Sequence, residues 1–150
     1  MPPGCGGTSA PVISSEPVTQ IVCIGNTATF SVTATGTNLL FQWRRGSVNL
    51  VNAGNISGVT TPVLTINPVG PGDAATDYNV IISGTFSPPD TSDFVALIVT
   101  TAPVIILEPV SQTVCEGDSV SFSVSITGTG VTYQWRKGLV LLDNVQAIAF

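Results

Sequence analysis

The chain carries one pattern twice, in a single register. Residues 11–58 begin PVISSEPVTQIVCIGNTATFSVTATGTNLLFQWRRG, and residues 103–150 begin PVIILEPVSQTVCEGDSVSFSVSITGTGVTYQWRKG. Cys23 corresponds to Cys115, Phe30 to Phe122 and Trp43 to Trp135, each pair 92 residues apart without a gap. Phe150 aligns with Gly58, so nothing in the sequence matches 59–102. Self-similarity at this period marks stacked modules, here about 90 residues each. The expected organisation is an extended arm over 1–10, a complete module over 11–102 and the front half of a second over 103–150. Half a module cannot close its own core.

Alternation tells what each module is made of. In T-A-T-F-S-V-T-A, Ala28, Phe30, Val32 and Ala34 fall on one side and Thr27, Thr29, Ser31 and Thr33 on the other. Period two is the signature of a half-buried strand. Leu39, Phe41 and Trp43 share one face of the next strand, and Tyr78, Val80 and Ile82 alternate in a later one. Val63–Ile66 and Phe94–Val99 read as further strands, and Glu16-Pro17 splits the first, since proline sits at strand edges and breaks. No segment has helical periodicity. Seven or eight short strands with frequent turns predict an all-β fold, an antiparallel sandwich.

These residues resemble the immunoglobulin (Ig) fold, over 11–102 in full and over 103–150 for strands A to C′ only. Trp43 stands where that fold keeps its core tryptophan, and Tyr78 where it keeps the tyrosine corner. The two core cysteine positions of antibody domains are Val32 and Val80 here. The resemblance implies a complete-module core of Phe30, Val32, Trp43, Tyr78 and Val80. "Val-Cys-x-Gly" before strand B and "Tyr-Gln-Trp-Arg-Lys" in strand C resemble tandem Ig-like repeats of large bacterial surface proteins. In such repeats the cysteine often has a partner in the loop after strand F. That loop reads Gly84-Thr85-Phe86-Ser87 here, and Gly4-Cys5-Gly6 in the arm looks like a displaced copy of it. An odd number of cysteines in an exported protein points to an intermolecular bond or a free thiol. Cys5 of one subunit with Cys115 or Cys23 of another is one reading; Cys5–Cys23 within a chain, or unpaired thiols, is the other.

Composition narrows the function. Charged residues make up 9% of the chain, against about 25% in ordinary soluble domains. The net charge of −5 argues against a nucleic-acid partner, which needs clustered Lys and Arg. The basic residues are Arg44, Arg45, Arg136 and Lys137, each pair just after a tryptophan. They read as strand ends whose charge discourages wrong edge pairing, rather than as an anionic glycan site. No apolar run is long enough to span a membrane. The first ten residues lack the basic start and apolar stretch of a secretory signal, yet scarce Lys and abundant Thr fit an extracellular or cell-surface setting.

With no histidine, Ser-His or Cys-His nucleophile activation is unavailable, and the chain reads as non-enzymatic, without cofactor or metal. Zinc wants four close N/S ligands. Asp73, Asp77, Asp90 and Asp93 match no calcium-loop spacing and read as turn residues. Asn55-Ile56-Ser57 matches an N-glycosylation acceptor, and Asp118-Ser119-Val120 a short O-glycosylation pattern.

The half module then decides the reading. Its inward face carries Val120, Phe122, Val124, Ile126, Tyr133 and Trp135. Burying a large apolar side chain is worth about 1.5–3 kcal/mol, so leaving these in water forfeits on the order of 10 kcal/mol. That is comparable to a domain's net stability. An open sheet edge also templates pairing with another chain. The expectation is a structural protein that polymerises with itself by strand complementation between Ig-like modules. The alternative is an adhesive or glycan-binding module from a large bacterial surface protein, with surface glycans as ligands.

Overall fold

The computed structural model describes residues 9–143, and the chain divides into two compact units at Thr100/Thr101. In the first unit, eleven short strands follow from the alternation and its turns: β1 (Val12–Ser15), β2 (Gln20–Cys23), β3 (Ala28–Ser31), β4 (Thr33–Thr35), β5 (Leu40–Arg45), β6 (Val48–Asn49), β7 (Ile56–Ser57), β8 (Val63–Ile66), β9 (Ala75–Ser83), β10 (Asp90–Thr91) and β11 (Val95–Thr100). The helical content among the described residues is one 3-10 turn, Pro71–Asp73.

The strands form two layers. In one, β1 pairs with β4, and β3 pairs with β8, which pairs with β7. The break between β3 and β4 is at Val32, whose N–H goes to Pro62 O (3.0 Å). In the other, the order is β2-β11-β9-β5-β6, with β10 also on β9. All pairings are antiparallel except β2 on β11, which runs parallel from Gln20↔Leu97 to Cys23↔Thr100. The first strand thus leaves one sheet and joins the other across Glu16-Pro17. This is the strand arrangement of an Ig-type sandwich.

Between the layers, Phe30, Trp43, Leu64, Ile66, Val80 and Ile82 are fully buried, with Val32 and Tyr78 beside them. The Phe30 ring stacks on Tyr78 with centroids 5.1 Å apart and sits 6.2 Å from Trp43, within the range where aromatic pairs add stability beyond burial.

The second unit keeps the local half of this architecture. Its strands are β12 (Val104–Leu107), β13 (Ser125–Thr127), β14 (Arg136–Lys137) and β15 (Val140–Leu141). The pairs Val104↔Thr127 and Ile105↔Ile126 repeat Val12↔Thr35 and Ile13↔Ala34. Gln134 Nε2 donates to Trp135 O and Leu142 O, as Gln42 Nε2 does to Trp43 O and Leu50 O. The turns Gly25 (φ 87°) and Gly117 (φ 89°) share the left-handed conformation that glycine adopts without steric cost. What differs is the long-range pairing. Residues 111–115, 118–124 and 131–135 lie outside any strand ladder, whereas their counterparts include β2, β3 and β5, which pair with β11, β8 and β9.

Candidate assembly surface

The inward face of the second unit is open. Phe122 is 49% exposed and Trp135 is 39% exposed, while their counterparts Phe30 and Trp43 are at 0%. Tyr133 is exposed as well, and Val120, Val124 and Ile126 are half-buried. A groove of about 200 Å³ runs between Ile105, Val124, Tyr133 and Trp135. In the first unit the matching face is covered by Leu64, Ile66, Val80 and Ile82, and the indole N–H of Trp43 donates to Thr61 O (2.9 Å). All of those covering residues lie in 59–100. The exposed face holds large apolar side chains beside the unladdered backbone of 118–124 and 131–135.

The tyrosine corner is present. Tyr78 O–H donates to Asp73 O at 2.7 Å. Burial pushes its phenol above the ordinary value of 10.0, helped by Asp73 and Asp77 and opposed by Arg45. The folded state therefore holds this proton more tightly than the unfolded chain. Stability is fully present below pH 10 and falls as pH rises beyond it. Tyr78→Phe is expected to cost about 0.5–1.5 kcal/mol at neutral pH and to flatten the fall in stability above pH 10, as read by denaturant unfolding across pH.

The acidic residues are occupied in joining segments. Asp73 Oδ2 accepts Gly70 N–H and Asn55 Nδ2 (both 2.7 Å), and Asp77 lies 3.9 Å from Arg45. Asp90 Oδ2 accepts Ile13 N–H (2.7 Å), and Glu16 accepts Asp93 N–H (3.2 Å), which ties β1 and the residue after it to β10 and the loop that follows. No group of three or more metal-ligating side chains forms among the described residues.

Asn55, the acceptor of the glycosylation motif, has another use. Its Nδ2, the atom a glycan would take, donates to Pro68 O (2.9 Å) and to Asp73. Nor is Arg45 simply a solvent-facing strand end. Although half-exposed, its guanidinium donates to Gly72 O and Ala74 O, clamping the turn before β9. Arg44 donates to Ser47 O across its own hairpin. Sequence reasoning also passed over Asn79, buried at 1%, whose Nδ2 donates to Gly46 O and Asp77 O. A lone Asn in an apolar strand was the signal that could have found it.

Cys23 and Cys115 are exposed, and Thr100 Oγ1 lies 3.2 Å from Cys23 Sγ. Cys5, the third member of the disulfide reading, lies outside the described residues. No helix among the described residues is long and apolar enough to cross a membrane.

No protein-family model matches the chain, and no curated protein does. Solved structures do resemble it. The I-band fragment I67–I69 from titin superposes with a TM-score of 0.73 at 22% identity, covering 92% of this chain and 50% of its own length. Sidekick-1 immunoglobulin domains 1–5 give 0.76 at 24% identity, covering 96% and 31%. Drosophila OTK extracellular domains 3–5 give 0.71 at 19%, covering 92% and 47%. The chain thus spans half or less of these structures. At such identities the likeness establishes the fold: an all-β protein of the Ig-like sandwich class.

Proposed function

We propose that this chain is a non-enzymatic extracellular structural subunit that self-assembles into a filament or surface polymer, the second Ig-like module being completed by another subunit. The observation that carries this reading is the burial contrast between Phe30 and Trp43 at 0% and Phe122 and Trp135 at 49% and 39%. The same sequence pattern is a closed core in one unit and an open face in the other. The open face has the chemistry of a sandwich interior, and the cheapest way to bury it is against other strands. Low charge lowers the repulsion between like subunits at close contact. A disulfide from Cys5 of one subunit to Cys23 or Cys115 of its neighbour would lock such a joint, and two of these thiols are exposed.

Electron microscopy of the native 150-residue chain tests the reading. Regular filaments that shorten when Phe122 or Trp135 is replaced by a charged residue are the expected result. Dispersed monomers, with residues 101–143 rapidly cleaved by protease, would falsify it.

A further inference from the structure

The sheet β2-β11-β9-β5-β6 of the complete module buries one face and turns the other to water. Trp43, Val80, Val95 and Leu97 point into the core. Alternation therefore turns Leu40, Ile81, Phe94, Ala96 and Ile98 outward, and Ile21, paired with Ile98, shares their side. Ile21, Leu40 and Phe94 are 70%, 68% and 65% exposed. Register sets these six in a line. Leu40 pairs with Ser83 and Gln42 with Ile81, so Ile81 lies one strand over and two residues along from Leu40. Val95 pairs with Tyr78, which puts Phe94 beside Asn79, one strand over and two residues along again. Ala96 and Ile98 follow down β11, and Ile98 meets Ile21 on β2. At about 4.8 Å between strands and 3.4 Å per residue, this is a diagonal apolar stripe about 30 Å long. Scattered apolar residues on a surface need no explanation, but a continuous stripe marks a contact. Arg44 on β5 and Asp77 on β9 point outward as well, both on the same flank of the stripe.

We infer that this stripe is a self-association surface, on which a second copy of the chain lays the same stripe about a twofold axis crossing it at Phe94. The stripe is complementary to itself under that operation. The axis lies in the plane of contact at right angles to the stripe, so it exchanges the two ends and keeps the flanks. By the register, Leu40 falls opposite Ile21 of the other copy, Ile81 opposite Ala96, and Phe94 beside its own copy. Arg44 and Asp77 lie on one flank at nearly equal distances either side of the axis, so each Arg44 faces the Asp77 of the other copy. An axis along the stripe would leave both charges unmatched. Within one chain, Arg44 has no carboxylate partner among the described residues, and Asp77 keeps a 3.9 Å contact with Arg45. An apolar centre with opposite charges at its rim is the make-up of a specific isologous interface. The contact uses the complete module alone, so it goes beyond the joint proposed at Phe122 and Trp135.

Sedimentation of the full chain carrying Trp135→Lys separates this contact from that joint. The expected species approaches twice the chain mass of 15.4 kDa as concentration rises. Phe94→Asp should weaken association about tenfold or more, since it places a charge at the centre of the apolar contact. Arg44→Glu and Asp77→Lys should each weaken it, and the double reversal should restore it, a rescue that misfolding would not give. Asp93, next to Phe94, comes near its own copy at the axis. With Cys5, Cys23 and Cys115 changed to Ser, Asp93→Cys should let a short bismaleimide join two chains. Monomer at every concentration would overturn the inference. So would a dimer that Phe94→Asp leaves intact, a double reversal that associates no better than either single change, or a dimer that position 93 does not crosslink.

Discussion

Replacing Trp43 by alanine should cost the first module about 3–5 kcal/mol, while the same change at its sequence equivalent, Trp135, should cost the isolated subunit far less. The two residues sit in one motif and one local geometry. Both follow a Gln that donates to the Trp backbone carbonyl, and both open a hairpin onto a following strand. They differ in surroundings. Trp43 is fully enclosed, touches the Phe30 ring and donates its indole N–H to Thr61 O. Truncating it leaves a cavity and an orphaned carbonyl. Trp135 is 39% exposed, so truncation removes less burial from the free subunit than at Trp43 and leaves no fully enclosed cavity. The expected effect there is on association: a lower sedimentation coefficient with a nearly unchanged first-module melting transition. Equal destabilisation by the two substitutions, measured by denaturant unfolding of dilute protein, would mean that the second unit has a closed core of its own.

The second large effect comes from adding sequence. Position 150 aligns with 58, so a copy of residues 59–102 placed after Phe150 continues the repeat in register. It would supply the equivalents of β8, β9 and β11, with Leu64, Ile66, Val80, Ile82 and Leu97 facing Phe122 and Trp135. Full burial of a large apolar side chain is worth about 1.5–3 kcal/mol, and with Val120, Val124 and Ile126 already half-buried and Phe122, Tyr133 and Trp135 part-exposed, the expected gain is about 5 kcal/mol. It should appear as a second cooperative unfolding transition in calorimetry, with quenched or shifted Trp135 fluorescence and loss of self-association. An extended chain that melts as before and still associates would show that the open face is not a sandwich waiting for its other half.

Much of this was legible in the residue order. Alternation at Ala28, Phe30 and Val32 follows from the pleat, because successive side chains point to opposite faces whatever the neighbours are. Phe30 and Trp43 lie at the centre of the core, and Tyr78 makes the corner bond two residues before Val80. The repeat is readable because it needs only a comparison of the chain with itself. The uses of particular polar groups were not legible. Asn55 matched a glycosylation motif, but its amide spans Pro68 O and Asp73. Arg45 reads as a strand-end charge, but it grips Gly72 O and Ala74 O across 27 and 29 residues of sequence. Asp90 and Glu16 look like loop acids, but Asp90 accepts the Ile13 N–H and Glu16 accepts the Asp93 N–H across the fold.

The division has one physical cause. Which residues form strands, which face is apolar and where the turns fall are set by neighbours within a few positions, through sterics and the period of the pleat; the sequence alone determined these. Which strand lies beside which is settled by long-range burial and backbone hydrogen bonding. Only the tertiary structure could decide that Gln20–Cys23 leaves its sheet to run parallel to β11.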